Sequence, residues 1–159
     1  MVSIQVLAVG SLKETYLKDA VDEYLKRLSR YANITIKEVK ESRLPKNATN
    51  KNIQQSIETE SESLLAHTKG FFVIALDAKG KHLTSEQFAS KLQDTMTYAS
   101  SNIAFLIGGS HGLSKTIKKH ANLILSFSNM TFPHQLMRVI VLEQLYRAMT
   151  ILNNEPYHK

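Results

Sequence analysis

Cysteine is absent from the sequence, tryptophan is absent too, and proline and glycine are scarce, at three and six residues. Without thiols there is no disulfide scaffold, no Cys-ligated zinc and no thiol catalysis. No low-complexity tract or long linker divides the chain, so residues 1–159 are expected to form one domain. Unbroken apolar runs are also missing. The longest, such as Phe71 to Leu76, fall far short of the roughly 20 residues a membrane helix needs. The N-terminal MVSIQVLAVG has neither a basic leader region nor a small-residue cleavage pattern. These absences lead to the expectation of a soluble, cytoplasmic protein with no membrane partner.

What is present is an ordinary globular composition, with 43% hydrophobic and 21% charged residues in a chain long enough to bury a real core. The formal net charge of +6 favours an anionic partner such as nucleic acid, although many proteins without one share that sign.

Val2 to Val9 is rich in β-branched residues and ends at Gly10, which reads as a buried strand and turn. Ser11 is a candidate cap for a helix whose apolar stripe runs through Leu17, Val21, Tyr24, Leu28 and Tyr31. Asn33 to Val39 alternates as an edge strand does. The segment Lys40 to Lys51 reads as a solvated, mobile, basic loop before a weakly amphipathic helix over 52–67. Phe71 to Leu76 is apolar at every position, as in a central parallel strand, and Asp77 to Gly80 makes its turn. Thr84 and Gln87 form a capping-box pattern for a helix reaching about Tyr98. A strand over 103–107, a short helix over 114–120, a strand over 123–125 and a helix over 133–152 complete the chain. Strands that alternate with helices in this way predict an α/β fold, a mostly parallel sheet with helices on both faces.

The last helix is apolar around most of its girth, with a narrow polar stripe through Glu143, Arg147 and Thr150. Such a helix must bury more than one side. The second side is expected to meet another copy of the chain.

Between Ile103 and Arg138 two strand ends and a helix start lie close together in sequence. GGSHG follows one apolar run, and SFSNMTFP follows the next. Glycine turns at strand ends let a backbone approach a ligand closely. The spacing does not fit a dinucleotide fingerprint, however: it is GGxxG, and no acidic ribose ligand follows. A nucleotide-dependent oxidoreductase is therefore disfavoured, and no phosphate-binding lysine motif for a triphosphate is present.

LIGGSHGL, LSFSNMTFPHQLMRVIVLEQLYRA and the terminal PYHK, together with LAVGSLKETYLKDAVDEYLKRL near the start, resemble the ribosomal RNA large subunit methyltransferase H family of small SPOUT methyltransferases. The resemblance runs the full length of the chain. It implies a C-terminal deep trefoil knot, a homodimer, and S-adenosylmethionine bound in the knot with no metal. By position it assigns Leu76, Gly108, Gly109, Phe127, Ser128, Asn129, Met130, Thr131 and Phe132 to the methyl donor.

The implied substrate is a pseudouridine in a hairpin loop of 23S rRNA, methylated at N3 on the assembled ribosome. N3 is mostly protonated at neutral pH, so a base or a cation that stabilises the developing anion is needed. His158 is the candidate base, Arg147 orients the base or a phosphate, and Tyr157 stacks on the target. His134 and Arg138 rank second, on their place near the donor. The competing reading is a non-catalytic protein of the same fold that only docks on ribosomes or nucleic acid.

Overall fold

The computed structural model describes residues 1–159. Five strands form one sheet in the order β2-β1-β4-β3-β5, and every pairing is parallel. They are β1 (Val2–Val9), β2 (Ala32–Val39), β3 (Phe72–His82), β4 (Asn102–Ile107) and β5 (Leu123–Ser126). The connecting helices are α1 (Thr15–Leu28), α2 (Asn50–Leu65), α3 (Ser85–Asp94), α4 (Lys115–His120) and α5 (His134–Leu152). The expected parallel α/β architecture is observed.

Strand side chains alternate between the two faces, and the core divides accordingly. Ile4, Val6, Ala8, Ile74, Ile103, Phe105 and Ile107 meet Val21 and Leu28 of α1, Phe88 and Leu92 of α3, and Val141, Leu142 and Leu145 of α5. On the opposite face Leu7, Val9, Val73, Ala75, Ala104 and Leu106 meet Leu64 of α2 and Ile117 of α4. From β5 at one edge the chain returns across the sheet as α5, which packs against both α1 and α3. That return is compatible with the threading the resemblance implies. No helix is long and apolar enough to cross a membrane.

Several boundaries differ from expectation, some because of a distant partner and others because of a local cap or turn. α1 begins at Thr15 with no side-chain cap, so Ser11 does not cap it. The Leu12 N–H donates to Glu38 (3.3 Å) and the Lys13 N–H to Gln135 (3.4 Å), which holds these residues outside the helix. α2 starts earlier than expected, at Asn50, because Thr49 and Asn52 form a capping box. The basic loop before it is not free: Ser42 N–H donates to Glu60 (3.0 Å), and Ser56 Oγ donates to the Ser42 carbonyl (3.2 Å).

β3 does not stop at Leu76. Both Leu76 and Lys81 pair with Leu125, so Asp77 to Gly80 loop out and the strand resumes. α3 ends at Asp94 and closes with a π-helical turn, Thr95–Ala99, in which Ser100 N–H reaches the Thr95 carbonyl at 2.8 Å.

In a parallel sheet every strand points the same way, so Val9, Leu76 at the break in β3, Ile107 and Ser126 all lie at one edge. That edge is where open α/β sheets hold ligands.

Candidate active site

A cavity of about 410 Å³ opens at this edge, within the range of roughly 300–1,000 Å³ usual for small-molecule sites. Leu76, Ile107, Leu125, Phe127 and Met137 give it apolar walls, and Gly108, Gly109 and Gly112 give it bare backbone. Phe127 is braced from behind by Phe88, edge to face at 6.3 Å. Asp77 and Lys118 pair across the wall at 2.6 Å. Burial alone would raise the Asp77 carboxyl, but the Lys118 ammonium and the Lys79 N–H outweigh it and hold it below its ordinary value.

The glycine turn is sterically required. A Cβ on Gly108 would lie 2.6 Å from the Gly112 carbonyl carbon, and Gly112 itself has φ +82°. Gly108→Ala is therefore expected to push the turn into the cavity and weaken S-adenosylmethionine binding at least about tenfold, readable by calorimetry. Unchanged affinity would remove Gly108 from the site.

The polar turn after β5 folds on itself. Ser126 Oγ donates to the Ser128 carbonyl (3.0 Å), and the Met130 N–H donates to Ser128 Oγ (3.0 Å). This places Ser128, Met130, Thr131 and Phe132 around the cavity, with Met130 and Phe132 exposed. Asn129 is exposed and does not line it. Of the positions the resemblance assigned to the donor, all but Asn129 converge here.

The other three predicted residues form a separate cluster. The C-terminal tail is docked rather than loose: Tyr31 donates to Glu155 (2.7 Å), and Tyr157 packs edge to face on Tyr146 (4.8 Å). Burial and that Glu155 bond push the Tyr31 hydroxyl up to about 12. Arg147 clasps Glu143 through Nε (2.8 Å) and Nη2 (2.6 Å), stands over the Tyr157 ring (4.9 Å), and contacts His158 Nδ1 through Nη1 (3.2 Å).

Arginine can only donate, so Nδ1 accepts and the Nε2–H donates to Glu86 (2.6 Å). The hydrogen bond from His158 holds the Glu86 carboxyl below the ordinary range. At about 1.5 Å per residue, Arg147 lies about 20 Å further along α5 than His134, which lines the cavity. One chain thus keeps its tail cluster away from its own cavity.

Arg138 is corrected from a candidate site residue to a structural one. Its side chain is 1% exposed, donates to the carbonyls of Gly10 (2.5 Å) and Val9 (3.2 Å), and pairs with Glu38. No third-party ligand can reach it there. His134 does line the cavity.

Glu60 was missed. It is buried beneath the glycine turn, where a Cβ on Gly109 would come within 3.2 Å of its carboxylate. Burial raises its pKa, against the lowering effect of Ser42, His111 and His134. Glu86 was also missed, and nothing in the sequence links it to a histidine 72 positions later. Asp77 and Ala78 also line the cavity and were missed as site residues, since the sequence placed them only in the turn after Leu76. No three His, Asp or Glu side chains converge to hold a metal ion.

A family model described as predicted SPOUT methyltransferase matches residues 2–158. The ribosomal RNA large subunit methyltransferase H of Alkaliphilus oremlandii is 51% identical over 158 residues, covering 99% of each chain. The protein of the same name from Carboxydothermus hydrogenoformans is 48% identical over 157 residues, covering 98% of this chain and 99% of that one. The crystal structure of tRNA (m1G37) methyltransferase from Aquifex aeolicus matches with a TM-score of 0.57 at 11% identity, over 99% of this chain and 75% of that one. At that identity the likeness is one of fold.

Proposed function

The chain belongs to the SPOUT methyltransferase family and matches its ribosomal RNA large subunit methyltransferase H members end to end; on that premise we propose that it methylates N3 of a pseudouridine in a 23S rRNA hairpin loop, on the assembled ribosome and as a homodimer. S-adenosylmethionine is the methyl donor. The observation that carries this reading is the pairing of an open cavity, walled by backbone and apolar side chains, with a His-Arg-Tyr cluster that has no other evident use.

The cavity fits such a donor. Apolar walls at Leu76, Ile107 and Phe127 suit an adenine ring, and the bare backbone at Gly108 and Gly109 can approach a ligand's polar edge. Held by the walls at Leu76, Gly108, Gly109 and Phe127, the donor would supply a sulfonium methyl group to the attacking nitrogen, with S-adenosylhomocysteine as the leaving group. The chain's own tasks are alignment and removal of the N3 proton.

His158 takes that proton on Nδ1 once Arg147 swings from the ring nitrogen toward the substrate. The guanidinium then stabilises the anion developing on the base, and Tyr157 stacks on the extruded ring. Because the cluster lies about 20 Å along α5 from the chain's own cavity, the tail of one protomer serves the cavity of its partner. Leu136, Val139 and Ile140, only partly buried on α5, supply an apolar surface for that dimer.

Recognition of one nucleotide by so small a body depends on ribosomal shape as well as on the hairpin. With labelled S-adenosylmethionine, transfer to intact ribosomes is expected to exceed transfer to protein-free 23S transcript by about 100-fold. Equal rates would refute the assembled-ribosome context. No transfer to either, with the donor bound normally, would leave a docking protein.

A further inference from the structure

Beside the donor cavity lies a second opening of about 470 Å³, and His134 lines both. Its other walls are Gly10, Ser11, Lys13, Glu38, Val39, Lys40, Glu41, Arg43 and Gln135, of which only Val39 is hydrophobic. We infer that this opening seats the phosphodiester backbone of the rRNA on one side of the target nucleotide, through Lys13, Lys40 and Arg43. The inference rests on the rRNA reading above and assigns it a surface.

Charge is the first ground. Lys13, Lys40 and Arg43 are exposed and none has an ion-pair partner in the structure. Of the two acids in the lining, Glu38 is engaged by Arg138 and by the Leu12 N–H, so Glu41 alone opposes three cations. Unpaired cations around an open polar hollow match a polyanion, whereas an apolar or cationic partner finds nothing to bind.

Preorganisation is the second ground. The segment carrying Lys40 and Arg43 is fastened at Ser42 from both sides, by Glu60 and Ser56, and Lys13 is tied through its backbone to Gln135 at the start of α5. Cations held in this way lose less entropy on binding than cations on a free loop. Glu60 also lies directly under the glycine turn, so one buried carboxylate sets both the turn of the donor cavity and the loop of the basic opening.

Position is the third. The opening lies where β1 and β2 end, at the edge of the sheet that holds the donor cavity, and Arg43 and His111 share a further recess between them. A strand of RNA whose base enters the donor site therefore passes over these side chains. Contacts of this kind fix register without reading sequence.

The test compares K13Q/K40Q/R43Q with K26Q/K69Q/K91Q, which removes the same charge from the opposite end of the sheet, in the last turns of α1 and α3 and the link before β3. Ribosome binding is measured across salt concentrations, with calorimetry of S-adenosylmethionine as the check on folding. The first variant should bind donor normally, lose at least about tenfold in ribosome affinity, and show a salt slope shallower by about 2 to 3, since each lost phosphate contact removes about 0.7–0.9. The second should keep the wild-type slope. Equal losses in both variants, or none in the first, would overturn the proposal. If the unsubstituted protein does not bind ribosomes at all, the rRNA reading itself fails and takes the proposal with it.

Discussion

Arg147→Ala is expected to lower the turnover of ribosomal methylation by about 10²–10³-fold while changing S-adenosylmethionine affinity less than about twofold. The separation follows from the geometry: Arg147 touches Glu143, Tyr157 and His158 and no wall of the donor cavity. It combines three tasks that a smaller or differently shaped cation cannot combine. Its Nε and Nη2 are fixed by Glu143, its plane covers the Tyr157 ring, and its Nη1 contacts His158, from which the proposed mechanism has it turn to substrate. Arg147→Lys keeps the charge but not the fork, so it should recover only part of the rate.

His158→Ala should fall in a similar range, and the double variant should be scarcely worse than either single one, because the residues act as a unit. The readout is single-turnover methylation of ribosomes beside donor calorimetry. Full turnover in His158→Ala would remove the histidine from proton transfer. Full turnover in Arg147→Ala would remove the cluster from the chemistry altogether.

The largest expected loss of stability is at Arg138. Arg138→Ala should cost about 3 kcal/mol, seen as a fall in melting temperature of roughly 6–12 °C. The ion pair is not the main term, since the Glu38 side chain is 42% exposed and solvent screens it. The cost lies in the carbonyls of Val9 and Gly10, which lose their donor where β1 ends, and in the void left by the largest fully buried side chain of the protein. Arg138→Met separates the two contributions, because it refills most of the volume without restoring a donor. A melting temperature unchanged in Arg138→Ala would show that these bonds carry no weight.

The sequence's periodicities carried the fold well. β-branched runs became parallel strands, fully apolar runs became the central ones, and the glycine turn after β4 became a cavity wall because no side chain fits at Gly108. What periodicity could not show depends on contacts across long stretches of chain. α1 starts late because Glu38 and Gln135 take the N–H groups before it, across 26 and 122 residues. Arg138 looked like a site residue because a lone arginine at a helix start beside a ligand turn usually faces solvent or ligand. Only the β1 carbonyls, 128 and 129 positions away, show it to be a strut. The terminal Tyr-His pair carries no periodicity that would place it, because its docking depends on Tyr146, Arg147 and Glu86 on two different helices.

In the proposed function the cavity at the strand ends and the C-terminal cluster together methylate one rRNA pseudouridine at N3. Mass spectrometry of nucleosides from large-subunit rRNA tests it most directly, using cells that lack the protein and the same cells carrying either the wild-type chain or Arg147→Ala. Loss of one N3-methylpseudouridine in the deletion, restored by the wild-type chain and not by Arg147→Ala, is the predicted result. An unchanged set of methylated nucleosides in the deletion would contradict the account.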